Sequence, residues 1–114
     1  MSEDPHSWDV VVVPFPYSDK KAEKRRPAVI FSSQKLHERH GIYWMAMITS
    51  ARHVRVEGDI AVHDYTKAGL VLPCFIRPAK IAAFERSRIL RVIGSVKNAE
   101  RKAVKAFVRK HLAV

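Results

Sequence analysis

The sequence predicts a mainly β domain: a small antiparallel barrel or curled sheet, closed by one C-terminal helix. Short runs rich in β-branched and aromatic residues recur between charged or turn-forming segments, which is the pattern of short strands. Helical spacing appears clearly once, at the end, where Val104, Phe107, Val108 and Leu112 fall at i, i+3, i+4 and i+8. At 114 residues the chain suffices for one domain, and no repeat or linker divides it. Its 47% hydrophobic content supports a core that needs no staple.

Residues 1–7 are polar and expected to fray, leaving 8–114 as the single domain. Residues 8–13 read as a strand that stops at Pro14-Phe15-Pro16, because prolines remove ladder donors. Residues 18–26 are a charged loop, and Pro27 opens a second strand over 27–32. Residues 34–40 are charged and turn-like, closed by Gly41. Residues 42–50 (IYWMAMITS) are apolar without alternation, so this strand is expected to be buried on both faces. A short strand over 58–62 and one helical turn over 64–68, ended by Gly69, follow. Residues 70–76 form a strand interrupted by Pro73, and 80–84 and 89–96 complete the set. The helix over 98–112 has Asn98 as its N-cap, Glu100 in the first turn and basic residues toward its end.

The net charge is +10, which points to a polyanionic partner. The helix region 97–111 carries six basic residues against Glu100, and the loop 18–26 carries five against Asp19 and Glu23. A single cysteine, Cys74, fits a reducing compartment, and the acidic N-terminus does not read as a signal peptide. No apolar run approaches the roughly 20 residues that span a bilayer, so a cytoplasmic protein with no membrane partner is expected.

Serine-hydrolase, Walker and zinc-protease signatures are absent, and the six histidines form no i, i+4 pair. No metal or cofactor is expected. The informative combination is Arg26-Pro27 with Thr49. Arg26 precedes a strand whose entry direction proline restricts, and Thr49 lies where an apolar strand ends. A guanidinium fork beside a hydroxyl would clamp one phosphodiester. A surface charge and an ordinary β-former account for the same residues. Lys20, Lys21, Lys24 and Arg25 would track a nucleic-acid backbone, with Phe15 and Tyr17 as stacking faces or, equally, as core or dimer contacts. His53, close to Thr49 in sequence, is the candidate acid or base.

Residues 8–19 (WDVVVVPFPYSD), 24–30 (KRRPAVI), 48–50 (ITS) and 68–73 (AGLVLP), followed by Arg77, Lys80-Ile81 and Glu85, resemble the MazF/PemK-like toxins in order and spacing. The resemblance extends over about residues 8–110. It implies an SH3-like barrel of the CcdB/MazF type with a terminal helix, and a homodimer. It also implies a sequence-specific, metal-independent endoribonuclease that cuts single-stranded RNA to a 2′,3′-cyclic phosphate and a 5′-hydroxyl. Arg26 and Thr49 match the family's catalytic arginine and hydroxyl residue, and Ser50, Arg77 and Lys80 join them as RNA contacts. A cognate acidic antitoxin is implied as partner, with DNA binding through the antitoxin complex. Trp8 departs from the pattern, since a glycine usually precedes the acidic residue. A non-catalytic binding module of the same fold and a CcdB-like gyrase inhibitor are the alternatives.

Overall fold

The computed structural model describes residues 4–16 and 23–113. Six strands form one antiparallel sheet: β1 (Asp9–Pro16), β2 (Glu23–Ile30), β3 (Ile42–Ser50), β4 (Ile60–Ala61), β5 (Cys74–Glu85) and β6 (Arg91–Ser95). Their order is β4-β5-β3-β2-β1-β6, a curled half-barrel. Helix α1 (Gln34–His40) joins β2 to β3, and α2 (Asn98–His111) ends the fold.

Both faces of the sheet are packed. On one, Val10, Val29, Ala46, Ile48 and Ile76 form a core with Val96 and with Val104 of α2. On the other, Val11, Val13, Ala28, Ile30, Met45 and Met47 form a second core with Tyr43, Phe84 and Ile89. Neighbouring residues of one strand therefore serve opposite cores, as the two-residue period of a strand requires. This explains the unalternating apolar run of β3, whose residues Met45 to Ile48 are all buried.

Several boundaries move from their expected places. β1 runs through Pro14 and Pro16 instead of stopping there, with Pro14 opposite Arg25 and Pro16 opposite Glu23. Its other neighbour, β6, pairs only with Asp9 to Val12, so the prolines need donate nothing on that side. β2 begins at Glu23 rather than Pro27, which places Lys24, Arg25 and Arg26 on a strand and not in a loop. The expected strand over 58–62 contracts to Ile60–Ala61.

The expected strands 70–76 and 80–84 become one, β5, which begins only after Pro73. A bulge joins the two parts: Ala46 faces Ile81 while Met47 faces Arg77, and Pro78, Ala79 and Lys80 are the surplus. The turn over 64–68 is present, with Ala68 N donating to Asp64 O at 3.2 Å. Gly69 ends it at φ +84, and a Cβ there would meet Ile93 O at 2.1 Å.

At the chain's start, residues 4–7 are tied down. Pro5 is fully buried, Asp4 pairs with Arg86 at 3.2 Å, and Ser7 donates to Ser32 O at 2.6 Å. Trp8 holds φ +73, the left-handed conformation that glycine adopts without a Cβ penalty. Its N–H donates to Ile30 O at 2.7 Å and its carbonyl accepts Val96 N at 3.2 Å, so the strained residue links β2 to the end of β6.

In α2 the N-cap is Lys97, not Asn98, and no side chain caps it. Val104 is the fully buried residue of the apolar stripe; Phe107 and Val108 are half-buried, and Leu112 is 58% exposed. Leu112 falls outside because the helix stops at His111 and the chain turns extended.

Candidate active site

The second core runs out in a polar patch. Along β2 the side chains of its row read Ile30, Ala28, Arg26, and along β3 they read Met45, Met47, Thr49. Both apolar rows thus end at the same level, one on a guanidinium and one on a hydroxyl.

The chain is also open there. The β2–β3 ladder holds Ile30↔Met45, Val29↔Ala46 and Ala28↔Met47, then ceases at Pro27, which has no N–H to continue it. Extending that register by two residues would set Arg26 opposite Thr49. With the ladder broken, the two strands part, and a cavity of about 230 Å³ lies between them. Met47, Ile48 and Thr49 line it from β3, Arg26 from β2, Arg77 from beside the β5 bulge and Lys80 from within it, and His53 from the loop after β3.

That loop is pinned at both ends. Behind Thr49, His53 N donates to Ser50 O at 3.0 Å, and Arg52 N donates to Ser50 Oγ at 3.2 Å. At the far end, Asp59 is buried and accepts from Arg77 Nε at 3.0 Å and Nη2 at 2.9 Å. Asp59 Oδ2 also accepts Val56 N, while Arg77 Nη2 donates to Val54 O. Burial alone would raise the Asp59 carboxyl. The Arg77 and Val56 hydrogen bonds and the charges of Arg77 and Arg55 outweigh it and hold the group below the ordinary carboxylate value. The same hydrogen bonds raise Arg77. A fork–fork pair of this kind fixes both planes, so the loop cannot swing freely over the cavity.

Within the cavity Thr49 Oγ1 and His53 Nδ1 lie 2.7 Å apart. The structure therefore gathers Arg26, Thr49, His53, Arg77 and Lys80 at one place. It gives Arg77 a second duty, since its guanidinium already serves Asp59. Ser50 does not line the cavity; its hydroxyl closes the turn. Lys24 and Arg25 are exposed on β2 outside it. The Phe15 side chain and Tyr17, Lys20 and Lys21 lie outside the described residues.

Other groups sort by their surroundings. Cys74 belongs to the first core, and burial pushes its thiol up, away from reactivity. His37 stacks on Tyr43 with ring centroids 4.4 Å apart. Among the described residues no three His, Cys, Asp or Glu side chains cluster as metal ligands, and no helix is long and apolar enough to cross a membrane. Asp59 went unnoticed in the sequence because its partner is 18 residues away and no local spacing joins them.

The PemK-like, MazF-like toxins of type II toxin-antitoxin systems match residues 6–112, and the chain belongs to that family. MazF from Deinococcus radiodurans superposes with TM-score 0.77 at 16% identity, over 96% of each chain. Mycobacterium tuberculosis toxin MazF-mt6 gives 0.71 at 17% identity, over 90% of this chain and 93% of that one. An endoribonuclease in complex with its cognate antitoxin, from a mycobacterial species, gives 0.73 at 12%, over 96% and 93%. No curated protein matches the chain by sequence.

Proposed function

We propose that this chain is a metal-independent endoribonuclease acting on single-stranded RNA, the toxin of a pair whose antitoxin is acidic. The observation that supports this most is the placement of Arg26 and Thr49 on one cavity. In the reaction the ribose 2′-OH attacks the adjacent phosphorus and the 5′-oxygen departs, leaving a 2′,3′-cyclic phosphate. The nucleophile belongs to the substrate, so the protein's task is to stabilise charge and move protons.

Arg26 fits the first task. Its guanidinium presents a planar fork to two phosphoryl oxygens as their charge builds. Thr49 donates its hydroxyl to a non-bridging oxygen. Lys80 adds a positive charge from the bulge. Sequence preference would come from residues around the cavity, with Lys24 and Arg25 following the RNA backbone. The enzyme works in the cytoplasm as a homodimer.

The test is cleavage of single-stranded RNA by purified protein in excess EDTA, comparing wild type with Arg26→Ala. Cyclic-phosphate ends that vanish in Arg26→Ala support the reading. Binding without cleavage would make the chain a binding module instead, and blocked DNA supercoiling with intact RNA would make it a gyrase inhibitor.

A further inference from the structure

The proposed reaction leaves one proton without a destination, the one on the attacking 2′-OH. Among the described residues lining the cavity, Arg26, Arg77 and Lys80 have side chains that only donate hydrogen bonds, and Met47 and Ile48 are apolar. Thr49 is a hydroxyl, too weak a base by itself. Among the described lining residues, His53 is the side chain whose neutral ring carries a lone pair able to take up a proton.

Its contact with Thr49 selects how. The 2.7 Å separation of Thr49 Oγ1 and His53 Nδ1 admits two arrangements of hydrogen. If Nδ1 accepts, the single Thr49 proton is spent on the imidazole and none is left for the phosphoryl oxygen. If Nδ1–H donates, Thr49 keeps its proton for the phosphate, and the lone pair moves to Nε2. The arrangement that lets Thr49 stabilise charge is thus the one that makes His53 a base.

We infer that His53 is a catalytic residue that removes the 2′-OH proton through Nε2, with Thr49 setting its tautomer. The inference rests on the endoribonuclease reading above. The O2′–H bond breaks and its electron pair forms the new bond to phosphorus, while the proton passes to Nε2. The P–O5′ bond breaks with its electron pair on O5′, which takes a proton from water, and His53 later returns its proton to solvent.

Among the described residues the charged side chains lining the cavity with His53 are Arg26 from β2 and Arg77 and Lys80 from β5, while Arg52, Arg55 and Glu57 are exposed on its own loop. Asp59, the buried carboxylate of that loop, is occupied by Arg77. His53 itself is exposed, so replacing it leaves the core intact.

The experiment measures single-turnover cleavage of a short single-stranded RNA by wild type, His53→Gln and His53→Ala, from about pH 5 to 8. Wild type is expected to slow on the acid side, as protonation removes the lone pair. Both variants are expected to lose about 100- to 10,000-fold in rate at neutral pH together with that acid limb. Added imidazole should restore part of the His53→Ala rate. Gln keeps a donor for Thr49, so a His53→Gln enzyme with wild-type rate and pH profile would reduce His53 to a positioning role and overturn the inference. A wild type that cuts no RNA would instead overturn the enzyme reading beneath it.

Discussion

Two histidines sit at opposite places in this fold, and their partners differ in kind. Beside α2, His63 meets Glu100 across 37 residues: its N–H donates to Oε2 at 2.8 Å, and its ring nitrogen lies 3.1 Å away. Glu100 is almost wholly buried, and its other oxygen has no hydrogen-bond partner among the described residues. At the cavity, His53 meets a hydroxyl, and the charged side chains lining that cavity among the described residues are Arg26, Arg77 and Lys80. The first arrangement spends a histidine on holding a helix against a sheet. The second leaves an imidazole nitrogen for a visitor. Two arginines differ in place as well: Arg77 pairs with buried Asp59, and Arg26 ends the β2 row of the second core.

The largest effect should come from the pinned side of the cavity. Asp59→Asn leaves Arg77 without its counter-charge, and breaking a buried pair typically costs about 3–5 kcal/mol. Urea unfolding should register that loss. An unchanged midpoint would mean that packing, not the ion pair, holds the loop.

Arg26→Lys keeps the charge but loses the fork, and should lower RNA cleavage by about 100- to 1,000-fold, or about 2.7–4 kcal/mol of transition-state stabilisation. Its stability should stay near that of wild type. The two variants together separate an arginine that builds the site from one that works in it. Near-normal cleavage by Arg26→Lys would erase the distinction.

Glu100→Gln should cost about 1–3 kcal/mol, because the amide answers His63 less well than a carboxylate does. Burial raises the Glu100 carboxyl, but hydrogen bonds from the His63 and Glu100 N–H groups and the His63 side chain outweigh it and leave it lowered. A group held lower in the folded state than in the unfolded chain stabilises at neutral pH. That stability is lost as pH falls through the unfolded carboxylate range, around 4, toward the folded value. Wild type should therefore lose stability in acid more steeply than Glu100→Gln, as measured by melting temperature from about pH 6 to 3.

The smallest change is expected at Trp8→Gly. Glycine relieves a left-handed backbone that costs a larger residue about 1–2 kcal/mol, while the ring's packing against the first core is given up. The two effects oppose, so calorimetry should find a shift under about 1 kcal/mol. A large loss would show that the indole, with Lys105 Nζ 5.8 Å from its ring, is a cornerstone of the α2 face.

Much of this molecule can be read from local patterns. The β3 boundaries, the turn closed by Gly69 and the extent of α2 follow from residue periodicity and turn chemistry, which act over a few neighbours. Arg26 and Thr49 stand out for the same reason: a proline after one and the end of an apolar run at the other. Tertiary structure decides the remainder. Whether a proline ends a strand depends on whether another strand lies on its N–H side. Hence β1 continues through Pro14 and Pro16, while Pro27 stops the β2–β3 ladder and opens the cavity. The β5 bulge, the Asp59–Arg77 pair and the burial of Glu100 join residues far apart in the chain. The sequence by itself determined the mainly β class, the β3 bounds and the C-terminal helix. Only the folded sheet decided that His53 stands against Thr49, because that contact depends on a loop held from its far side by a buried ion pair.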